Sequence, residues 1–239
     1  MTTKTNIVLV GGGSMGPWTW ERVAPILEAD GYHVLAVQLR ATGNDATPPS
    51  EVSLRDWVDD LCAALTELEP SETVLVAHSF AGYVAAAALD RDPQIARMAV
   101  FLDAVLPSPG LSWFDQMGSQ TQAFMTSLQK NGAIPFFTRE QLDGVYPGHG
   151  LSDDDWVWMQ GRITAQPIGT YTQSATRKAL DAEGAVKLAY VRCDRTVPPV
   201  ADIDEATPGW TVRTLPTGHW PMITDPIATA SAIEELAGQ

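Results

Sequence analysis

The strongest constraint on this chain is a rhythm. Short, mostly apolar runs at 6–10, 34–39, 73–77 and 98–102 alternate with stretches of helical spacing at 18–29, 54–68 and 82–89. Runs of that length are too short for core helices and too continuously apolar for strands with one wet face. Strands apolar on both faces and separated by helices imply a parallel sheet, because the crossover helices cover both of its sides. The rhythm breaks at Pro107. From there to about residue 181 the chain is rich in aromatics, with helical patterns near 113–130, 153–163 and 171–180 and no obvious strand. Strand patterns return at 186–192 and 211–215, and a closing helix at 226–236. The expected architecture is one α/β domain over 1–239, a mostly parallel doubly wound sheet. A small helical lid, about 107–181, is inserted before the last strands.

One junction in this frame carries chemistry. Ala77-His78-Ser79-Phe80-Ala81-Gly82 joins the third strand to a small-residue helix. A strand feeding a helix through small-X-Ser-X-small is the pattern of a nucleophile elbow, a strained turn that exposes the serine hydroxyl. Alanine stands at 77 and at 81, where glycine and another small residue are usual. A serine that merely caps a helix would give a similar local pattern.

Serine catalysis needs a base to take the hydroxyl proton and a carboxylate to orient that base. The chain has four histidines. His33 begins a strand, His78 reads as pointing away from the serine, and His149 reads as a surface or pocket-rim residue. His219, in Thr217-Gly218-His219-Trp220 after the last strand, stands where the base belongs in the order serine, acid, histidine. Two carboxylates follow strands on the same edge of the sheet: Asp194 after 186–192 and Asp103 after 98–102. Chain order favours Asp194 as the acid and keeps Asp103 as the alternative. An oxyanion hole needs two backbone N–H groups. Phe80, next after the serine, supplies one, and the glycine loop Gly11-Gly12-Gly13-Ser14-Met15-Gly16 supplies the other.

Over its whole length the chain resembles the α/β-hydrolase superfamily, within it the small esterase and hydroxynitrile-lyase branch. The residues that carry the resemblance are Gly11 to Trp20, Ala77 to Gly82, Asp194-Arg195-Thr196-Val197-Pro198-Pro199 and Gly218-His219. Members usually open the first loop with His-Gly; here Gly11 replaces the histidine, while the Gly-x-Trp-x-Trp ending is kept. The resemblance implies Gly13 as the second oxyanion donor; Gly12 in the same loop and Trp220, next to His219, are the candidates to line the substrate pocket. The similar lyases carry threonine at the position of Gly12 and lysine after the catalytic histidine. Gly12 and Trp220 in those places imply ester hydrolysis rather than cyanohydrin cleavage. Some bacterial relatives carry a sequence like Leu102-Asp103-Ala104 and lack an acid in the later loop, which keeps Asp103 in contention. The fold also serves lyases and biosynthetic cyclases, so a non-hydrolytic enzyme is the alternative reading.

Composition narrows the partners. A formal net charge of −14 argues against nucleic acid and anionic membranes. No apolar run is long enough to span a bilayer. Cys62 and Cys193 give neither a metal spacing nor a disulfide framework. The expectation is a soluble cytoplasmic enzyme with no cofactor or metal, acting on a small apolar or aromatic ester, with homo-oligomerisation left open. One competing motif exists. Gly11-x-Gly13-x-x-Gly16 after a strand matches the dinucleotide fingerprint, and Arg40 after the next strand suits a 2′-phosphate. That reading, an NADP-dependent oxidoreductase, leaves Ser79 and His219 unexplained.

Overall fold

The computed structural model describes residues 4–239. β1 (Asn6–Val10), α1 (Ala24–Ala29), β2 (His33–Ala36), α2 (Leu54–Thr66), β3 (Thr73–His78), α3 (Ala81–Arg91) and β4 (Met98–Leu102) alternate as the sequence predicts. The insert follows: α4 (Trp113–Met117), α5 (Ser119–Ser127), β5 (Ala133–Ile134), α6 (Arg139–Val145), α7 (Asp153–Gln160), β6 (Gln166–Pro167), α8 (Ile168–Thr172) and α9 (Lys178–Asp181). The body closes with β7 (Lys187–Cys193), β8 (Trp210–Leu215), α10 (Pro221–Thr224) and α11 (Pro226–Ala237).

Six strands form one sheet in the order β2-β1-β3-β4-β7-β8, with every neighbouring pair parallel. Side chains alternate across it because successive residues of a strand point to opposite faces. Ile7, Leu9, Val74, Val76 and Val100 pack with Leu27 of α1 and Ile233 and Leu236 of α11. Val8, Val10, Leu75, Ala77 and Phe101 pack with Trp57 and Leu61 of α2 and Tyr83 and Val84 of α3. The chain steps outward from β1 to β2 and then crosses back to β3. That reversal is a topological switch point, where the carboxyl ends of adjacent strands open a crevice.

Several expectations need correction. The strand foreseen over 34–39 ends at Ala36, and the helix foreseen over 171–180 is two short helices, α8 and α9, with 173–177 outside both. The helix foreseen over 18–29 is split into a 3-10 turn at Pro17–Trp20 and α1, which begins at Ala24. Pro25 has no N–H to extend an earlier helix, so it starts a new one. The pattern at 113–130 breaks at Gly118, which sits at φ 85° and ends α4 as it opens α5. The insert also holds strands: β5 pairs antiparallel with β6, and two residues each are too short to show a period.

Candidate active site

β3 delivers Ser79 into a left-handed turn, φ 54°. A non-glycine residue there is strained by roughly 1 kcal/mol or more, and the neighbourhood must hold it. It does so through both backbone groups. The Ser79 N–H donates to the Leu102 carbonyl at 3.2 Å, and the Ser79 carbonyl accepts from Gly82 and Val105, each at 3.0 Å. The elbow's indispensable small residue is Gly82: a Cβ there would lie 2.2 Å from the Val105 carbonyl oxygen. Ala77 and Ala81 fit in the core without strain of that kind, both fully buried.

His219 Nε2 lies 2.8 Å from Ser79 Oγ, and His219 Nδ1 lies 2.7 Å from Asp103 Oδ2. Since an ionised carboxylate only accepts, Nδ1 carries the proton and Nε2 is left to receive the serine hydroxyl. The expectation of Asp194 beside the imidazole is not met. Asp194 is exposed, and its backbone N–H is tied to Leu215. Strand register is the reason. His78 pairs with Leu102 across β3 and β4, so the residues that follow, Ser79 and Asp103, leave neighbouring strands side by side. Cys193 ends a strand that runs two residues beyond that level, since Leu102 pairs with Val191. Asp194 therefore overshoots the imidazole. Its loop supplies donors to Asp103 instead: Thr196 Oγ1 to Asp103 Oδ2 at 2.8 Å, and the Cys193 N–H to Oδ1 at 3.2 Å.

Asp103 is 1% exposed. Burial by itself would raise its pKa, but the hydrogen bond and charge of His219, with the bonds from Thr196 and Cys193, outweigh it and hold the carboxyl below the usual range. His78, set aside in the sequence, turns back toward the site. Its Nε2 donates to the His219 carbonyl at 2.7 Å. Complete burial, aided by the nearby His219, pushes its pKa down to about 3, so it stays neutral. On the outer side Tyr146 stacks on the His219 ring, centroids 4.7 Å apart. Burial, with the charge of Asp103, raises the Tyr146 hydroxyl to about 12. His149 packs under the same loop, bonded to Asp143 and to the Leu151 N–H. This packing needs glycine twice. A Cβ on Gly218 would meet the Gly148 carbonyl at 2.3 Å, and one on Gly148 would meet that of Arg195 at 2.3 Å.

Ser79, His78, Phe80, His219, Trp220 and the loop from Gly12 to Met15 line a cavity of about 290 Å³. The insert furnishes its other walls, among them Trp113, Phe124, Phe136, Tyr146 and Tyr171. Among its lining residues none is an aspartate, glutamate, lysine or arginine. Among the described residues, neither the Gly13 N–H nor the Phe80 N–H takes part in the loop and turn hydrogen bonds. Gly12 lies against Ser79 and His78: a Cβ there would be 2.8 Å from Ser79 Cβ and 2.9 Å from His78 Nδ1. The threonine of the similar lyases could not enter without displacing both.

The dinucleotide alternative fails on two local grounds. Gly16 leads into a 3-10 turn, and α1 begins eight residues on, so the glycine loop does not run directly into a helix as the dinucleotide fingerprint requires. Arg40 is committed to Asp60 at 2.7 Å and Asp56 at 2.8 Å. Sequence reasoning assigned no role to Thr196, His78, Tyr146 or Tyr171, although Thr196 lies in the loop singled out for Asp194, His78 in the elbow motif and the two tyrosines in the aromatic-rich insert.

Comparison with known proteins agrees with this fold. The model of the alpha/beta hydrolase family matches residues 7–232. Methylesterase 1 of Arabidopsis thaliana is 40% identical over a 253-residue alignment that covers 93% of this chain and 92% of the relative. Norfluorocurarine synthase 1 from a Strychnos species is 28% identical over 210 residues, covering 80% of this chain and 77% of the relative. An extracellular alpha/beta-hydrolase from a Paenibacillus species shares the fold, with a TM-score of 0.80 at 16% identity over 98% of each chain.

Proposed function

This chain belongs to the alpha/beta hydrolase family, and we propose that it is a serine carboxylesterase acting on small, uncharged, apolar or aromatic esters. The observation that carries the reading is the unbroken relay from Asp103 through His219 to Ser79, with contacts of 2.7 and 2.8 Å, at a largely apolar cavity.

In the proposed reaction Ser79 Oγ attacks the ester carbonyl carbon while His219 Nε2 takes its proton. Asp103 fixes the imidazole tautomer and stabilises the imidazolium. The oxyanion is received by the Gly13 and Phe80 N–H groups, donors preorganised where the charge develops. His219 returns the proton to the leaving alkoxide, which departs as the alcohol. Water activated by the same imidazole then frees the carboxylic acid and restores Ser79. A cavity of about 290 Å³ sits at the small end of ligand pockets, and its lining offers no charged partner. The methylesterase relative supports a small alcohol as leaving group. A net charge of −14 opposes retention of an anionic carboxylate product.

A fluorophosphonate probe tests the reading. It should label Ser79, located by peptide mapping, and Ser79→Ala should lower kcat on a p-nitrophenyl ester panel by about 10⁴- to 10⁶-fold. Label on another residue, or normal turnover by the variant, would overturn it. The synthase among the relatives supports a second reading, a non-hydrolytic step at the same residues. A labelled Ser79 with no ester turned over would select it.

A further inference from the structure

The glycine loop after β1 makes a tight turn in which the Met15 N–H donates to the Gly12 carbonyl at 3.1 Å. Its third residue, Ser14, stands at φ 67°, where a turn of this kind normally uses glycine. A serine held there must be fixed from outside, and the donors and acceptors that fix it come from the insert. The Ser14 N–H donates to Gln166 Oε1 at 2.6 Å, and the Ser14 carbonyl accepts from the Thr164 N–H at 3.0 Å. Gln166 is 1% exposed. Its Nε2 donates to Thr170 Oγ1 at 2.7 Å, and Thr170 Oγ1 in turn donates to the Pro167 carbonyl at 2.7 Å. The amide is thereby locked in one orientation, with its oxygen toward the turn. A Cβ on Gly13 would lie 3.1 Å from that oxygen, so the two groups are in close contact.

We propose that Gln166 is a positioning residue for the reaction: it holds the turn that presents the Gly13 N–H to the oxyanion, so that docking of the inserted segment and competence of the oxyanion hole are one event. The inference rests on the esterase reading above. Gly13 and Ser14 share a peptide plane that Gln166 grips through its N–H. Losing that grip frees a left-handed serine to relax, and the neighbouring Gly13 N–H swings with it. Oxyanion donors act only when fixed at the right place, so the loss falls on the transition state and not on the bound ester.

The test compares Gln166→Met, which keeps the side chain's length and removes the strong acceptor, with Thr170→Val, which leaves Gln166 in place and removes its lock. For Gln166→Met, kcat on a p-nitrophenyl ester should fall about 10- to 100-fold, with KM within about threefold. The inhibition constant of an aryl trifluoromethyl ketone, which forms a tetrahedral oxyanion adduct, should rise by the same factor as kcat/KM falls. That of the corresponding hydrocarbon ketone with a quaternary α-carbon, a ground-state mimic, should not change. Thr170→Val should show the same pattern at smaller size. A kcat unchanged in both variants, or a loss confined to KM, or equal weakening of both inhibitors, overturns the proposal. If Gln166→Met does not fold, Thr170→Val decides alone by the same readouts. Wild-type labelling of Ser79 by the fluorophosphonate is run alongside. Its failure defeats the esterase reading, whereas labelled wild type with undiminished variants defeats only the role of Gln166.

Discussion

The sheet body and the inserted segment reach order by different means. In the body, strands are buried on both faces, and their register places Ser79, Asp103 and His219 together. In the insert, the helices are short and α5 buries no side chain at all. Three of them are held locally by capping boxes: Ser112 with Asp115, Thr138 with Gln141, and Ser152 with Asp155. A capping box satisfies the free N–H groups of a helix end without needing a core behind it. The body thus supplies atoms whose positions are set by many long-range contacts, and the insert supplies walls of aromatic surface. The division of labour that follows is chemistry from the body and fit from the insert. The insert's Tyr146 already stacks on the His219 ring, and at Gln166 we propose that the line is crossed.

The sharpest way to break the comparison is at the acid. Asp103→Asn should lower kcat by about 10³- to 10⁴-fold, because an amide favours the wrong imidazole tautomer and stabilises no imidazolium. Asp194→Asn should stay within about twofold of wild type, its side chain being exposed and out of reach of the imidazole. Steady-state kinetics of the pair would reverse our assignment if the losses were exchanged.

A second test concerns stability of the body alone. His78 has its folded pKa depressed from 6.5 to about 3. The unfolded chain therefore takes up a proton near pH 6.5 that the fold refuses, so stability is full above that pH and drains away as pH falls toward 3. Between pH 7 and 4.5 this one group should remove about 2.5 kcal/mol, at 1.36 kcal/mol per pH unit. His78→Gln, which retains an N–H for the His219 carbonyl, should lose that much less over the same range. Urea unfolding at the two pH values measures it, and identical slopes for both proteins would refute the burial argument. Asp103 acts in the same direction at lower pH, because its pKa is held down in the fold.

The smallest effect belongs to the insert. Phe124 lines the cavity yet is 56% exposed, and it stands on the helix with no buried side chain. Phe124→Ser should raise KM for an aromatic ester by about 3- to 10-fold through lost apolar contact and leave kcat nearly unchanged. A fall in kcat without a change in KM would mean that this part of the insert also reaches the chemistry.

Much of this was legible beforehand, and unevenly. β1 and β4 begin and end where the apolar runs do, since a strand buried on both faces leaves little choice of residue. α7 starts after Ser152, where three acidic residues favour a helix N-terminus. Ser79 was legible because an elbow imposes small residues at fixed offsets. The break at Pro25 could have been read from proline's missing N–H. Asp103 was not chosen over Asp194, because both follow a strand on the same edge and chain order points the wrong way; only the likeness of Leu102-Asp103-Ala104 to bacterial relatives spoke for it. Tyr146 and Tyr171 stood out only as members of an aromatic-rich insert and Gln166 not at all, since their partners His219, Phe80 and Ser14 lie in segments far away in the chain.

The sequence by itself determined the parallel sheet, the elbow at Ser79 and the glycine loop, because burial on both faces, backbone sterics and close approach each restrict residue type locally. Only the tertiary structure decided which carboxylate stands behind His219, that His78 turns back to hold the His219 carbonyl, and that the insert grips Ser14. Those outcomes depend on strand register and on contacts across more than a hundred residues of chain, and neither leaves a local pattern for the sequence to display.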